Sequence, residues 1–345
     1  MTQAKKTALV VCPGRGSYQR TELGYISQHL SQPALLQGFD AVRTALGLTT
    51  VSALDRALQF NQREHLKADN AAALIYAAGL QDFAAIDREQ FDIVAVTGNS
   101  MGWYTALGCA GVWQGADSMR QVSSMAQLTA EAAGAQFIYP LVDSDWQPCL
   151  DKQALVAEQL YLHQGALFLS IEYGGYAVLA GTHSAVKAAM QALPACDERF
   201  PLLLPGHAAF HSPLMLPAAE QAQSQWPEQL FATPQLPLID GRGVVWSSRV
   251  AATAALKAYT FGHQVSQSYH FSRAIQVAVK EFAPEHIILL GPGASVGSAV
   301  AQSLIAINWQ GLRSKADFIA SQQTPLPYVL SMGMPEQRRL VAISE

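Results

Sequence analysis

The stretch Phe91-Asp92-Ile93-Val94-Ala95-Val96-Thr97-Gly98-Asn99-Ser100-Met101-Gly102 drives an apolar segment straight into a G-x-S-x-G turn. The pattern predicts a strand over Ile93 to Thr97 that serves as a rigid stalk. The two glycines then let the chain turn sharply enough to present the Ser100 hydroxyl at the carboxyl end of a sheet. Trp103 to Ala110 reads as a helix whose N-terminal amides point at the serine. A G-x-S-x-G pentapeptide also occurs in ordinary loops. With a strand before it and a helix after it, it reads as a nucleophile elbow, and an elbow points to acyl transfer through a serine ester.

A serine nucleophile needs a base. Of the nine histidines, His211 is the best placed by its surroundings, in Leu204-Pro205-Gly206-His207-Ala208-Ala209-Phe210-His211-Ser212-Pro213-Leu214-Met215. Gly, Pro and small residues make this a loop after the apolar strand Leu202 to Leu204, and such loops mount reactive side chains. On pattern alone His211 reads equally as a base or as a satisfied structural histidine. His207 reads as structural.

Composition narrows the classes. A chain of 345 residues with 50% hydrophobic residues can bury a large core and hold a main domain plus a smaller one. A net charge of −4 argues against a nucleic-acid surface. The apolar run Ala8 to Cys12 after Lys5-Lys6 is too short for a secretion signal, and no run approaches a membrane span, so the expected location is the cytoplasm. Cys12, Cys109, Cys149 and Cys196 show no C-x-x-C pairing; buried free thiols are expected, with neither zinc nor disulfides.

Along the chain, Thr7 to Val11 reads as a first buried strand, Ala71 to Leu80 as a helix and Ile93 to Thr97 as the elbow strand, which predicts an α/β protein with a mostly parallel sheet. From Gln127 to Phe200 the pattern changes. Phe137 to Val142, Leu167 to Glu172 and Ala177 to Leu179 read as strands, and Lys152 to Leu162 and Ser184 to Leu193 as helices. The earlier pattern resumes at Leu202, through Pro237-Leu238-Ile239, a helix over Ser272 to Phe282, a strand over Ile287 to Leu290 and a helix after Gly297.

Four separated segments carry a family resemblance. Pro13-Gly14-Arg15-Gly16-Ser17 resembles a P-G-Q-G-S loop, Gly98-Asn99-Ser100-Met101-Gly102 a G-H-S-L-G elbow, Ala209-Phe210-His211-Ser212-Pro213-Leu214-Met215 an A-F-H-S-P-L-M segment, and Leu290-Gly291-Pro292-Gly293 a late G-P-G turn. In that order the chain resembles the malonyl-CoA:acyl carrier protein transacylase family, the acyltransferases of fatty acid and polyketide synthesis. The resemblance implies an α/β-hydrolase-like large domain over 1–126 and 201–320, an inserted ferredoxin-like domain over 127–200 and an irregular tail over 321–345. It also implies Ser100 as nucleophile, His211 as base, and the backbone N–H groups of Met101 and Arg15 as the oxyanion hole. A main-chain carbonyl in the segment around Gln267 would orient the histidine. CoA and phosphopantetheine thioesters would be substrates, with no permanently bound cofactor and no metal, and a phosphopantetheinylated acyl carrier protein would be the partner of a monomeric enzyme.

The departures bear on the substrate. Malonyl-selective members of the family carry an arginine about 25 residues after the serine, and alignment without gaps puts Met125 there. A thioether cannot balance a buried carboxylate, so an uncharged acyl group is expected. Arg15 is the way out of that argument, if its side chain enters the pocket from the P-G-R-G loop. Asn99 replaces a histidine before the serine and Trp103 an acidic residue after the elbow, whereas Phe210 matches the small-pocket version. Two other readings compete with acyl transfer: an acyl-carrier hydrolase, which differs only in using water as the second acceptor, and a synthase scaffold without activity.

Overall fold

The computed structural model describes residues 4–343 apart from Glu131 and Ala251. In chain order its strands are β1 (Lys6–Cys12), β2 (Phe91–Gly98), β3 (Ala135–Pro140), β4 (Leu167–Tyr173), β5 (Tyr176–Gly181), β6 (Leu202–Leu203), β7 (Leu238–Ile239), β8 (Val245–Trp246), β9 (Tyr269–His270), β10 (His286–Leu289) and β11 (Val329–Ser331). The run Ala8 to Cys12 is buried throughout. Burial on both faces is what a near-continuous apolar strand finds in a parallel sheet covered by helices. The first sheet has the order β11-β10-β1-β2-β7-β8, parallel at every pairing except β7 with β8. This is the mostly parallel sheet of an α/β fold, with β1 and β2 side by side at its centre.

The second sheet has the order β6-β3-β5-β4-β9, antiparallel except where β9 joins β4. Its two faces have different partners. Phe137, Leu179 and Val186 share one cluster that includes Val156, so this face takes the helices Leu150–Leu162 and His183–Ala192. Ile171 and Val178 belong instead to a cluster with Leu9, Val11 and Phe271 of the first-sheet side.

Three expectations are corrected. The first-sheet pattern does not resume at Leu202: Leu202 and Leu203 pair with Ile138 and Phe137 and so extend the second sheet. Tyr269–His270, far outside 127–200 in sequence, also adds to that sheet beside Ile171 and Glu172. Residues 321–345 are not an irregular tail as far as they are described, and residues 344 and 345 lie outside the described residues. β11 forms the edge of the first sheet, and the buried guanidinium of Arg338 pairs with the buried Asp82 carboxylate, which also accepts from Tyr25 and from the Gly291 amide. The prolines masked these contacts because they punctuate the segment without removing its short strand. All four cysteines are free; Cys12 and Cys109 are buried, whereas Cys149 and Cys196 are partly exposed.

Candidate active site

The elbow is built as its sequence indicates, but the glycines have a different role. Neither Gly98 nor Gly102 adopts positive φ; Ser100 does, at 54°. A β-carbon on Gly98 would meet the backbone carbon and oxygen of Gly102 at 2.3 Å. One on Gly102 would meet the Cys12 carbonyl at 2.3 Å. The glycines therefore make room for backbone to pass backbone, and the serine carries the strained conformation, which costs about 1–3 kcal/mol. The helix Gly102–Cys109 follows immediately. Trp103, fully buried in that helix, donates from Nε1 to Thr260 Oγ1 at 3.0 Å and stands edge-on to Tyr259.

His211, 111 positions later, brings Nε2 to 2.7 Å from Ser100 Oγ. It too has positive φ, at 55°. Its Nδ1 lies 2.6 Å from the main-chain carbonyl of Gln264. A carbonyl only accepts, so Nδ1 carries the proton and Nε2 presents its lone pair to the serine hydroxyl. Burial pushes the imidazole pKa down to about 4; the Gln264 carbonyl opposes this, and His263 adds to it. The histidine is thus neutral at physiological pH.

The orienting carbonyl was expected around Gln267 and belongs to Gln264. The π-helical segment Tyr259–His263 runs directly into the turn Gln264–Ser266 and shifts the carbonyl register relative to an α-helix. Gln267 instead donates its amide to His263 at 2.9 Å. Sequence reading also missed the side chain of Gln264, which donates to the Ser100 carbonyl at 3.0 Å and so ties both reacting residues to one position.

These groups open on a cavity of about 530 Å³, within the range of small-molecule sites. Met101, Met125, Asn99, Phe210 and Arg15 all line it. The amides of Met101 and Arg15 donate to no protein acceptor among the described residues. Asn99 cannot act as a base, as expected; its amide holds the Cys12 carbonyl at 3.0 Å, and its buried Oδ1 has no partner. Met125 is 1% exposed and brings no charge. Arg15 does bring one. Its guanidinium donates to the Leu66 carbonyl at 3.0 Å and lies 5.6 Å from the Phe210 ring centre. It forms no ion pair among the described residues, and burial lowers its pKa to about 10 against the favourable field of Asp69. Asp69 itself pairs with Lys67 at 3.3 Å.

Comparison with known proteins agrees with this architecture. The chain is 27% identical over 349 residues to the type I polyketide synthase of phenolphthiocerol synthesis from Mycobacterium marinum, covering 95% of this chain and 15% of the synthase. It is 28% identical over 205 residues to the malonyl CoA-acyl carrier protein transacylase of Salmonella typhimurium, covering 57% of this chain and 62% of the transacylase. The solved malonyl-CoA:acyl carrier protein transacylase of Synechocystis superposes with a TM-score of 0.73 at 18% identity, over 97% of this chain and 99% of its own. The chain is similar to the malonyl-CoA:acyl carrier protein transacylases. A further structural neighbour, at TM-score 0.68 and 20% identity over 87% of this chain and 93% of its own, is a malonyl-transacylase in complex with its type II polyketide acyl-carrier protein. At these identities the solved structures establish the shared α/β fold. The chain spans less than two thirds of the length of the two curated relatives, and it matches no protein-family model.

Proposed function

We propose that the chain transfers an acyl group from CoA to the phosphopantetheine thiol of an acyl carrier protein, in fatty acid or polyketide synthesis, through an ester on Ser100. The carrying observation is the 2.7 Å contact between Ser100 Oγ and the unprotonated Nε2 of His211. As Oγ attacks the thioester carbonyl carbon, its proton passes to Nε2. The carbon–sulfur bond then breaks and Nε2 protonates the departing thiolate, which leaves as CoA thiol. In the second half the carrier thiol gives its proton to Nε2 and attacks the ester carbon, and Oγ leaves and recovers the proton. Both halves pass through an oxyanion, for which the free amides of Met101 and Arg15 are the donors; losing such a donor costs about 10²–10³ in rate. With Nδ1 held by a carbonyl, orientation comes from Gln264 without a carboxylate.

Arg15 favours a second reading of the acyl group. Met125 removes one charge from the cavity and with it the expected carboxylate partner, but Arg15 supplies a guanidinium with a single carbonyl acceptor and no carboxylate. A buried cation in that state is relieved by an anion, so an acyl group ending in a carboxylate suits the cavity better than the uncharged group expected from Met125 alone. Intact-mass spectrometry after mixing with malonyl-CoA and acetyl-CoA, followed by holo-carrier protein, tests both statements. Loading on Ser100 and its discharge to the carrier are expected, whereas discharge to water would make the chain a hydrolase, and a wild type that never loads would leave the scaffold reading. Arg15→Gln should lower the malonyl-to-acetyl loading ratio about tenfold or more, the loss of a charge-assisted hydrogen bond. An unchanged ratio would return the site to uncharged acyl groups.

A further inference from the structure

Two polar side chains of the second sheet converge on the residue before the base. Gln136 shares its side of β3 with Ile138, and on the cavity wall these stand with Ile171 and Val178. It is the polar member of that apolar surface and only 2% exposed. Ser170 sits where the register of β4 against β5 shifts between Leu169 and Ile171. Such a bulge re-aims a side chain. Gln136 Nε2 donates to the Phe210 carbonyl at 3.2 Å and to Ser170 Oγ at 2.6 Å, and Ser170 Oγ donates to the same carbonyl at 2.8 Å. A carbonyl accepts only, which fixes the orientation of the glutamine amide. Its Oε1 then accepts from His207 Nδ1 at 2.8 Å.

The other pole of the same peptide is also held: the His211 amide donates to the Val265 carbonyl at 3.2 Å. The Phe210–His211 peptide is therefore gripped through its oxygen by the second sheet and through its hydrogen by the segment that carries Gln264. With that plane fixed, the φ of 55° at His211 directs the imidazole at Ser100.

We propose that Gln136 and Ser170 are positioning residues for proton transfer between Ser100 and His211: together they hold the Phe210 carbonyl and so keep His211 in the left-handed conformation that aligns Nε2 with the serine hydroxyl. The inference rests on the acyl-transfer reading above. Neither side chain touches the reacting atoms. Each supplies one donor to the same oxygen, so loss of one leaves the carbonyl satisfied. Loss of both leaves it buried without a partner, and the peptide can then rotate to relieve the strain at His211.

The test follows Ser100 modification by a fluorophosphonate, and acylation by malonyl-CoA and acetyl-CoA, in Gln136→Met, Ser170→Ala and the double variant. Each single variant should stay within a few-fold of wild type. The double variant should be slowed about 10²-fold, the scale of a displacement of about 1 Å at a reacting group, with KM unchanged. The acid limb of its pH–rate profile should also move from near pH 4 toward the ordinary histidine value of 6.5 as the imidazole meets water. A folded double variant with wild-type rate and acid limb overturns the proposal, and so does one in which KM rises while kcat holds. Should the double variant fail to fold, Gln136→Glu decides: its carboxylate turns no donor to Phe210 and, placed where the amide lies 2.6 Å from Ser170 Oγ, draws the serine hydroxyl off the same carbonyl, so both donors are lost at once; kcat should fall about tenfold or more, and an unchanged kcat overturns the proposal. Absence of any label on the wild type would instead overturn the acyl-transfer reading on which this rests.

Discussion

Ser100 and His211 share one backbone anomaly, φ of 54° and 55°, yet the molecule holds the two in different ways. At Ser100 the strain is contained by contiguous backbone: strand, turn and helix lie within residues 91–109, and the glycines let Gly98, Gly102, Cys12 and Pro13 approach more closely than a β-carbon permits. At His211 it is contained by groups reaching in from elsewhere: Gln136 and Ser170 on Phe210, the Val265 carbonyl on its own amide, and the Gln264 carbonyl on its ring. A local turn can be written in a dozen consecutive residues, whereas a turn braced from three distant segments cannot. The difference also sets how each fails, since backbone crowding has no gradation while hydrogen bonds are lost one at a time.

The sharpest way to break this pairing is His211→Ala. It removes the proton acceptor while leaving the elbow intact, so modification of Ser100 should slow by about 10²–10⁴-fold. Thermal unfolding checks that the fold survives. The pH dependence belongs to the His211 side alone. The base is needed neutral and its folded pKa is about 4, so the rate should hold as pH falls through 6.5 and drop only near 4. The folded pKa lies below the ordinary value of 6.5, so the unfolded chain takes up this proton first. The stability contributed by the neutral imidazole is therefore present above about 6.5 and lost progressively as pH falls toward 4. The buried His207, with its pKa lowered to about 3 by burial, adds a loss in the same direction. A rate that falls already near 6.5 would mean the site is wetter than the structure describes.

Gly102→Ala attacks the other member of the pair. Its β-carbon must displace the Cys12 and Pro13 carbonyls, at 2.3 and 2.7 Å, and backbone cannot yield as a side-chain tip can. Overpacking of this kind costs about 1–3 kcal/mol, and Ser100 labelling should fall together with the thermal midpoint. Stability lost without any loss of labelling would show that the elbow tolerates more than the close approach suggests. The smallest expected effect is at Trp103→Phe, which gives up the hydrogen bond to Thr260 but keeps the aromatic packing on Tyr259. About 1 kcal/mol of stability should go, with little change in rate, because this contact links the elbow helix to the segment carrying Gln264 without touching either reacting atom.

Much of the site was legible because its signals are local. The apolar run before Gly98, the small residues around Ser100 and the loop chemistry around His211 each state their purpose within a short window. The strands β1, β2, β4, β5 and β10 fall where periodicity puts them, with ends moved by a residue or a few. The misreadings share a cause. Gln264 was passed over for Gln267 because which carbonyl faces the ring depends on a π-helical turn, and helical register is not written in residue type. The segment around β11 was read as loose because three residues of strand and a buried Arg338–Asp82 pair leave almost no periodic trace. Leu202 and Leu203 read as part of the first pattern because an apolar pair does not say which sheet edge it will meet. Gln136 and Ser170 look unremarkable in sequence; a glutamine in an apolar strand and a residue at a bulge acquire meaning only where they meet Phe210.

The sequence by itself determined the chemistry on offer: a hydroxyl on a sharp strand-to-helix turn and an imidazole in a small-residue loop. Only the tertiary structure decided which carbonyl sets the tautomer of that imidazole, which distant side chains hold its turn, and that Arg15 lines the cavity with its guanidinium on a single carbonyl acceptor. Turns and strands are governed by interactions among neighbours in the chain, so residue order specifies them. Hydrogen-bond partners 40 to 164 positions apart, as at this site, are chosen by which surfaces become adjacent after burial, and no local pattern carries that information.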